Sequence, residues 1–406
     1  MRKTYKYRLA PNTTVENKLH WVLARCRELY NAGLSERKDA YRMAGKSITY
    51  DDQQNALPEI KAEIREEYQD IAAHVLQDVL KRLDKAFQRF FDRCAKGQKP
   101  GYPRFQGRNR YDSFTYPDGA GWKLDQPTRP PEKKGMVRVN LKLTKIGTVK
   151  LHLHRDMIGK VKTLTIKREG EHWYACFSCE MEKPEALPTS YEDVGIDLGV
   201  THFASLSNGE FLENPRHYRR AEKKLGKLQE SLSRKKRGSH RRAKAVKRVA
   251  KAHRKVRNQR ADFAHKASRK LINRYQVIVF EDLTTANLVK RPKPKQDEET
   301  GQYVPNGAAA KAGLNKSIAD AGWSQFVGMC TYKAAWAGRT LVQVDPKYTS
   351  QICPNCGNVR KKTLEERWHS CECGCELDRD TASAKVILDV GHKTLLVGTR
   401  PTRATA

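Results

Sequence analysis

VGIDLGV, at residues 194–200, places an acidic side chain, Asp197, within an apolar run that is typical of a buried β-strand. A second near-continuous apolar run, QVIVFEDL at residues 276–283, ends close to Glu281. A carboxylate in such a position is costly to bury unless it binds a metal or another cation. The two stretches therefore predict a sheet that carries acids for a chemical purpose, with salt-bridged acids at strand ends as the alternative.

A third acid, Asp380, lies in DRDTASA at residues 378–384, at the predicted start of a helix. Two strand-borne acids and one at a helix start can converge on one edge of a sheet, where they would hold two Mg²⁺ ions roughly 3.5–4 Å apart. One ion of such a pair activates water, and the other stabilises the leaving oxygen of a phosphodiester. We therefore expect Asp197, Glu281 and Asp380 to be the catalytic magnesium ligands of a phosphodiester hydrolase.

The second half of the chain alternates strands and helices, which favours an α/β domain. Its other predicted strands are THFASLS and TLVQVDP, at residues 201–207 and 340–346. Residues 216–270 form a strongly basic segment with a helical stripe of apolar residues, and we interpret it as two helices joined by a turn. Residues 289–316 are rich in Gly, Pro and charge, which predicts a mobile loop.

The first half of the chain predicts helices between β-strands. Residues 1–12 alternate apolar and basic side chains up to Pro11, as a strand does. Two apolar stripes at helical spacing then predict two long helices that pack on each other. The first stripe comprises Leu19, Val22, Leu23, Cys26, Leu29 and Tyr30, and the second comprises Ile71, Val75, Val79, Leu83, Phe87 and Phe90. From about residue 136 to 182 the period changes to two, with Gly at the turns, which favours a small β-barrel.

The charge of the chain restricts its partners. Its 406 residues include 79 Lys or Arg and 46 Asp or Glu, a formal net charge of +33 at pH 7. This excess favours nucleic acid, with an anionic membrane surface or the ribosome as the alternative. The excess of basic residues is strongest in residues 216–270, which contain 23 Lys or Arg and three Asp or Glu. The expected nucleic-acid contacts there belong to RKKRGSHRR and are Arg234, Lys235, Lys236, Arg237, Arg241 and Arg242.

The sequence has neither an apolar stretch long enough to span a membrane nor a secretory signal at its amino terminus. We therefore expect a cytoplasmic protein that associates with the nucleoid and has no membrane partner.

Five of the ten cysteines lie between residues 353 and 375, in the motifs CPNC and CECGC. Two knuckles of this kind, separated by fourteen residues, predict a structural Zn²⁺ site rather than disulfides. The expected ligands are Cys353, Cys356, Cys371 and Cys373. The second knuckle is shorter than usual by one residue, so Cys375 could replace Cys371 or Cys373, and His369 is a more distant option. The zinc would fix the insert that precedes Asp380.

Taken together, the motifs resemble the TnpB family, the RNA-guided nucleases of insertion sequences that are related to type V CRISPR effectors. The resemblance extends over nearly the whole chain and is most specific in its last third. It is carried by KYRLAPN (6–12), CRELYN (26–31), LDKAFQRFF (83–91), KPGYPRF (99–105), GIDLG (195–199), VIVFEDL (277–283), LNKSIADAGW (314–323), VDPKYTSQICPNCG (344–357) and CECGCELDRD (371–380).

The resemblance implies an α/β and α+β multidomain fold. An RNase H-like (RuvC) nuclease domain would carry a zinc-ribbon insert, and a β-barrel wedge domain would carry an inserted helical recognition domain. The expected boundaries are 1–12 and 116–190 for the wedge, 13–115 for the recognition domain, 191–345 and 376–395 for the nuclease domain, 346–375 for the zinc-binding insert and 396–406 for a disordered tail.

The resemblance also implies a prokaryotic, transposon-encoded DNA endonuclease. A guide RNA from the element end would direct it to double-stranded DNA beside a short flanking motif, which Tyr50 and Gln77 would contact. Its cofactors would be two Mg²⁺ ions, a structural Zn²⁺ and the guide RNA, and the protein would be a monomer in the ribonucleoprotein. The family usually has Asn two residues after its last acid, where this chain has Ala382.

Three other functions compete with this interpretation. An RNA-guided repressor would have lost its nuclease acids, whereas this chain keeps all three. A guide-independent, structure-specific nuclease would keep the acids without needing a recognition domain. A DDE-type transposase would join DNA ends rather than only cut them.

Overall fold

The computed structural model describes residues 1–108, 110–126, 137–363 and 365–397. The chain divides into two compact units, Met1–Glu182 and Lys183–Ala406, called here the N-terminal and C-terminal units. Of the predicted tail, residues 398–406 lie outside the described part, whereas Leu396 still belongs to the last helix. Within the described ranges, no helix has the length and apolar character needed to cross a membrane.

The described residues of the N-terminal unit form one antiparallel sheet of seven strands. These are β1 (Arg2–Ala10), β2 (Ser113–Tyr116), β3 (Trp122–Leu124), β4 (Val137–Leu143), β5 (Gly147–Leu153), β6 (Lys160–Glu169) and β7 (His172–Glu180). The strand order is β2-β6-β7-β1-β5-β4-β3. The two edge strands are consecutive in the chain and joined by residues 117–121, so the sheet is a nearly closed barrel.

Helices occupy the chain between β1 and β2. They are α1 (Thr13–Ala44), α2 (Tyr50–Asn55), α3 (Leu57–Glu59), a π-helical turn (Ile60–Ile64), a 3₁₀-helix (Glu66–Asp70) and α4 (Ala73–Ala95). The first predicted apolar stripe lies along α1, and the second begins just before α4 and continues along it. Both stripes are buried in one core, except for the half-buried Phe90. The helices approach closely at Gly33, where a Cβ would lie 3.2 Å from the Leu83 side chain.

The C-terminal unit contains a mixed five-stranded sheet and two small hairpins. Its strands are β8 (Asp193–Asp197), β9 (His202–Leu206), β10 (Phe211–Glu213), β11 (Val277–Glu281), β12 (Lys295–Gln296), β13 (Tyr303–Val304), β14 (Thr340–Val344), β15 (Trp368–Ser370) and β16 (Glu376–Asp378). The order of the large sheet is β10-β9-β8-β11-β14. The first three strands are antiparallel, and β11 is parallel to both β8 and β14. The four strands predicted from sequence are β8, β9, β11 and β14.

The helices of this unit are α5 (His217–Ser233), α6 (His240–Arg274), α7 (Thr285–Leu288), α8 (Ala308–Ala321), α9 (Trp323–Ala337) and α10 (Arg379–Leu396). As predicted, the basic segment folds into two helices, α5 and α6, joined by a turn. Helix α10 packs directly on β8 because Gly195 has no side chain: a Cβ there would lie 2.0 Å from the Ala384 carbonyl oxygen. The last helix is therefore held against the strand that carries Asp197.

The segment at residues 289–316 differs from the predicted loop. It contains the hairpin of β12 and β13, and α8 begins within it at Ala308. The Asn315 side chain donates a hydrogen bond to the Val289 carbonyl at 2.9 Å, which ties the two ends of the segment together. The alanine-rich run that starts α8 has a helix propensity that outweighs its single interior glycine, Gly313.

The contact at Gly195 leads to a stability prediction. Gly195→Ala should destabilise the C-terminal unit by about 3 kcal/mol, since the new methyl group meets backbone atoms of α10 that cannot move independently. The measurement is urea unfolding monitored by far-UV circular dichroism.

Gly226→Ala is the matched control, because no atom lies within 4 Å of a Cβ at this position in α5. It should leave stability unchanged or raise it by about 0.5–1 kcal/mol. Equal unfolding midpoints for the two variants would contradict the close approach of α10 to β8.

Candidate metal centres

The acids Asp197 and Glu281 end two neighbouring parallel strands. In the register of β8 and β11, Ile196 lies opposite Phe280. The next residue in each strand is the acid, Asp197 or Glu281, and it is the last residue of that strand. The three residues that precede each acid within its strand are buried and apolar, which fixes the strands in the sheet and leaves the acids at its edge. Carboxyl ends of neighbouring parallel strands meet at the same edge, and this brings the two side chains together.

The third acid reaches this edge through α10. The Asp378 side chain accepts hydrogen bonds from the backbone N–H groups of Asp380, at 3.0 Å, and Thr381, at 3.1 Å, and thereby begins the helix. Asp380 then lies in the first helical turn. The residue two positions further, Ala382, is 1% exposed and belongs to the face of α10 that packs into the unit.

All three acids line one pocket of about 310 Å³. Its wall also contains apolar residues and one arginine, and these include Leu198, Leu288, Ile318, Trp323 and Arg367. The sequence prediction that three distant acids share a pocket is thus matched by the geometry, although the ligand roles assigned to them stay predictions.

The electrostatics of the pocket favour a cation. Burial, together with the charges of Glu281 and Asp380, raises the pKa of Asp197 to about 8. Burial also raises the pKa of Glu281, and burial with the neighbouring Asp378 raises the pKa of Asp380. The raised pKa values mean that the ionised forms of these acids are unfavourable in the pocket by themselves. A bound cation would stabilise those ionised forms. The donor set, carboxylate oxygens only, is one that Mg²⁺ prefers.

Two further residues of this centre were not predicted. The Thr349 hydroxyl, on a side chain that is buried, donates a hydrogen bond to Oε1 of Glu281. This contact fixes the carboxylate from the segment that leads out of β14. Arg367 lies on the pocket wall, and its charge acts to lower the pKa of Asp380. Neither residue belongs to a pattern that sequence periodicity reveals, since both lie in irregular segments.

The predicted zinc ligands come together in the insert between β14 and α10. The sulfur atoms of Cys353, Cys356, Cys371 and Cys373 all lie within 4.8 Å of one another. The Sγ atoms of Cys353 and Cys373 are 3.6 Å apart, and those of Cys356 and Cys371 are 3.5 Å apart. Zn–S bonds of about 2.3 Å in a tetrahedron place sulfur atoms roughly 3.8 Å apart, so the cluster is compatible with zinc.

A second group shares one of these ligands. Cys353, His369 and Cys375 also offer donor atoms within 4.8 Å of one another. Burial acts to raise the pKa of Cys353, but backbone N–H groups of Cys356 and Asn355 outweigh it and lower the pKa to about 5. Cys353 is thus common to both groups, and its hydrogen bonds favour the thiolate form that binds a metal.

The residues predicted to contact nucleic acid lie in two places. Tyr50 begins α2 and is half-buried, with its ring 5.3 Å from Nζ of Lys81 on α4; Gln77 lies one turn earlier on α4. The two predicted contacts are thus on adjacent helices.

The predicted basic residues at the α5–α6 turn differ in their surroundings. Arg242 donates hydrogen bonds to the Leu232 and Lys235 carbonyls, at 3.0 and 2.9 Å, and so terminates α5. Arg234, the residue that follows α5, pairs with Glu230 of that helix. Lys236, Arg237 and Arg241 are exposed, and Lys235 is half-buried.

Comparisons with known families match three parts of the chain. The OrfB_IS605 profile, described as "Probable transposase", matches residues 176–291. A helix-turn-helix profile of the same family matches residues 1–46, and a Cas12f1-like TNB domain profile matches residues 323–387, which contain the cysteine cluster.

Curated relatives align along nearly the whole chain. The protein named "Putative RNA-guided DNA endonuclease InsQ" of Escherichia coli (strain K12) is 30% identical over 402 residues, which cover 98% of this chain and 94% of the relative. A protein of Streptomyces pristinaespiralis with the same name apart from "InsQ" is 32% identical over 398 residues, covering 96% and 90%. "TnpB-like protein L79" of Acanthamoeba polyphaga mimivirus is 22% identical over 285 residues, covering 66% and 52%.

Solved structures show the same fold at low identity. The mini-RNA-guided endonuclease CRISPR-Cas_phi3 is 10% identical and has a TM-score of 0.53, over 100% of this chain and 94% of the other. CasPhi-2 (Cas12j) bound to crRNA has a TM-score of 0.51 at 10% identity, over 96% and 98%. The fold is thus that of the compact CRISPR-associated effectors. The similarity to full-length relatives shows that the chain belongs to the TnpB family.

The pKa of Asp197 leads to a prediction about stability and pH. Because the folded-state pKa, about 8, lies above the ordinary value of 3.8, this group's contribution to stability is full below pH 4 and is lost as pH rises through 8. Asp197→Asn avoids the loss, so without added divalent metal its melting temperature should exceed that of the wild type by a few degrees at pH 9 and by little at pH 5.

Asp389→Asn is the control, since this exposed acid of α10 pairs with Lys393 and does not line the pocket. Its melting temperature should show no gain over the wild type as pH rises. An Asp197→Asn protein that is no more stable than the wild type at pH 9 would contradict the raised pKa.

The two overlapping ligand groups are distinguished by cobalt substitution. If the four thiols hold the metal, Cys375→Ser should keep one metal equivalent and four-thiolate charge-transfer absorption, whereas Cys373→Ser should lose at least tenfold in affinity. Cys353→Ser should lose the metal in either case. Cys94→Ser, which changes an exposed cysteine outside the cluster, is the control. Retention by Cys373→Ser with loss by Cys375→Ser would assign the other group.

Proposed function

We propose that this protein is an RNA-guided DNA endonuclease encoded by a transposable element. The observation that carries the proposal is the convergence of Asp197, Glu281 and Asp380 in one pocket, in a chain that aligns over almost its whole length with relatives named as RNA-guided DNA endonucleases. A repressor that only binds DNA would have no use for an acid cluster that costs stability.

The nuclease domain would have the RNase H-like (RuvC) fold and comprise residues 191–345 and 376–395. The mixed five-stranded sheet, with acids at the ends of its adjacent parallel strands and a last helix laid against it, supports this assignment. Residues 1–12 and 116–190, which contain β1 and β3 to β7, would be the wedge, and residues 13–115 the recognition domain. Strand β2 of the same sheet begins just before the second wedge segment, at Ser113. The insert at residues 346–375 would be a zinc ribbon held by four cysteines.

In the reaction, Asp197, Glu281 and Asp380 would hold two Mg²⁺ ions. When bound, these ions activate water and stabilise the leaving oxygen of the phosphodiester. Asp197 would have to give up its proton to become a ligand, and its raised pKa, with those of Glu281 and Asp380, would make metal binding depend on pH. Thr349 holds one oxygen of Glu281 and leaves the other for the metal. Arg367, on the wall of the pocket, would attract the phosphate, and Trp323 and Ile318 would supply an apolar wall beside it.

Specificity would come from base pairing between a guide RNA and the target strand, while the protein recognises the shape of the heteroduplex and a short flanking motif. The net charge of +33 supports a partner with many phosphates. Tyr50 and Gln77 would contact the flanking motif, and the exposed Lys236, Arg237 and Arg241 would contact the nucleic-acid backbone. We expect a monomer in the ribonucleoprotein, located with the nucleoid.

The experiment is to express the protein with the DNA that flanks its gene, sequence the RNA that co-purifies, and incubate the particle with a plasmid library of randomised flanks and Mg²⁺. We expect one discrete RNA species and cleavage beside a short motif. Asp197→Ala should keep the RNA and target binding but lose cleavage by at least a thousandfold.

Asp389→Ala, which removes an exposed acid of the same helix as Asp380, should cut like the wild type. Cleavage by Asp197→Ala above background would refute the metal assignment, and the absence of a discrete RNA would favour a guide-independent nuclease. Joined rather than cut ends would indicate a transposase.

A further inference from the structure

A cavity of about 370 Å³ in the N-terminal unit, far in sequence from the acid pocket, is lined by four basic side chains. His20 and Arg27 come from one face of α1, Arg108 from the segment before β2, and Arg168 from β6. We call this the arginine pocket. We propose that it binds a single phosphorylated nucleotide within a nucleic-acid strand, a role separate from that of the nuclease centre.

The pocket is built from fixed elements. His20 and Arg27 are seven positions apart, which places them two turns apart on the same side of α1. The backbone N–H of Arg168 donates a hydrogen bond to the Asp112 carbonyl at 2.7 Å. The Nη1 atom of the Arg168 side chain lies 3.4 Å from Nδ1 of His20. The His20 ring in turn packs edge-on against Trp173 at 5.1 Å between centroids. The basic groups are therefore positioned by the sheet and the helix together.

The positive charge inside the pocket is poorly balanced. Among the described residues that line it there is no carboxylate. Nη2 of Arg27 lies 4.0 Å from Glu28, but Glu28 already pairs with Arg25 and Arg65. Such a cluster is stabilised by an anion that accepts hydrogen bonds from several guanidinium groups, and phosphate accepts them in pairs.

The state of His20 supports the same conclusion. Burial, and then the charges of Arg168 and Arg108, lower the pKa of His20, while Glu16, whose Oε1 is 3.9 Å from its ring, acts to raise it. The two arginines thus act in the same direction as burial on this pKa, and Glu16 acts against them. A phosphate in the pocket would reverse this effect.

The size and walls of the pocket point to a nucleotide rather than a bare ion. Its volume lies within the roughly 300–1,000 Å³ of small-molecule sites. Leu23, Ala24 and Tyr111 supply an apolar wall against which a base or sugar can pack. Guanidinium groups for the phosphate and an apolar wall for the remainder match one nucleotide of a strand in either RNA or DNA.

The test uses full-length protein, without guide or added Mg²⁺, and titrates it with AMP and with adenosine in a calorimeter. AMP should bind, and adenosine at least tenfold more weakly, since only AMP carries the phosphate. The double variant Arg27→Gln/Arg108→Gln should bind AMP at least tenfold more weakly than the wild type. A tenfold loss corresponds to about 1.4 kcal/mol.

Arg89→Gln/Arg93→Gln is the matched control, because it removes two exposed charges from α4 in the same unit, outside the pocket. It should bind AMP within twofold of the wild type. Thermal melts of both double variants check that they are folded, and Arg168→Gln gives an independent test if the first double variant is not. No binding of AMP, equal binding of AMP and adenosine, or an equal loss in the control would overturn the proposal.

The source of the nucleotide is resolved by competition. Single-stranded RNA and DNA decamers of the same sequence are added to the AMP complex: stronger displacement by RNA assigns the pocket to the guide, and stronger displacement by DNA assigns it to the target. Displacement by neither would overturn the proposal. Asp197→Ala should bind AMP normally, so that a failure of the nuclease assignment and a failure of this one give different results.

Discussion

Mutual repulsion among three carboxylates is the constraint on which the C-terminal unit depends. Asp197, Glu281 and Asp380 gather at one sheet edge although their charges oppose it, and burial together with this repulsion raises the pKa of Asp197 to about 8. The register between β8 and β11 places two of the acids, and the contact of α10 with β8 at Gly195 places the third. The apolar packing of these elements supplies the free energy that offsets the repulsion.

The sheet and its acids were predictable because their signals are local. An acid within VGIDLGV or at the end of VIVFE departs from the apolar pattern, and strand ends of a parallel pair must meet. The period-two pattern likewise predicted β4 to β7 of the barrel, whereas β2 and β3 precede that pattern and were not predicted. Which cysteines form the metal group was predicted from spacing, and the geometry places those four sulfur atoms together without excluding the group that contains Cys375.

Other features could not be predicted, because they depend on tertiary contacts between irregular segments. The hydrogen bond from Thr349 to Glu281 joins residues 68 positions apart and follows no periodicity. The arginine pocket combines α1, β6 and a connecting segment, and no single stretch of sequence contains it. The segment at 289–316 was wrongly predicted as a loop throughout, because its Gly and Pro content concealed the alanine-rich start of α8.

The order in which the acids occur along the chain governs when the centre can exist. Asp197 and Glu281 are synthesised together with the sheet, but Asp380 and the helix that covers Gly195 come almost 100 residues after the second acid. A nascent or prematurely terminated polypeptide therefore folds, at most, to a sheet with two acids and a bare face. Translation itself delays the assembly of the complete cluster until the last helix has left the ribosome.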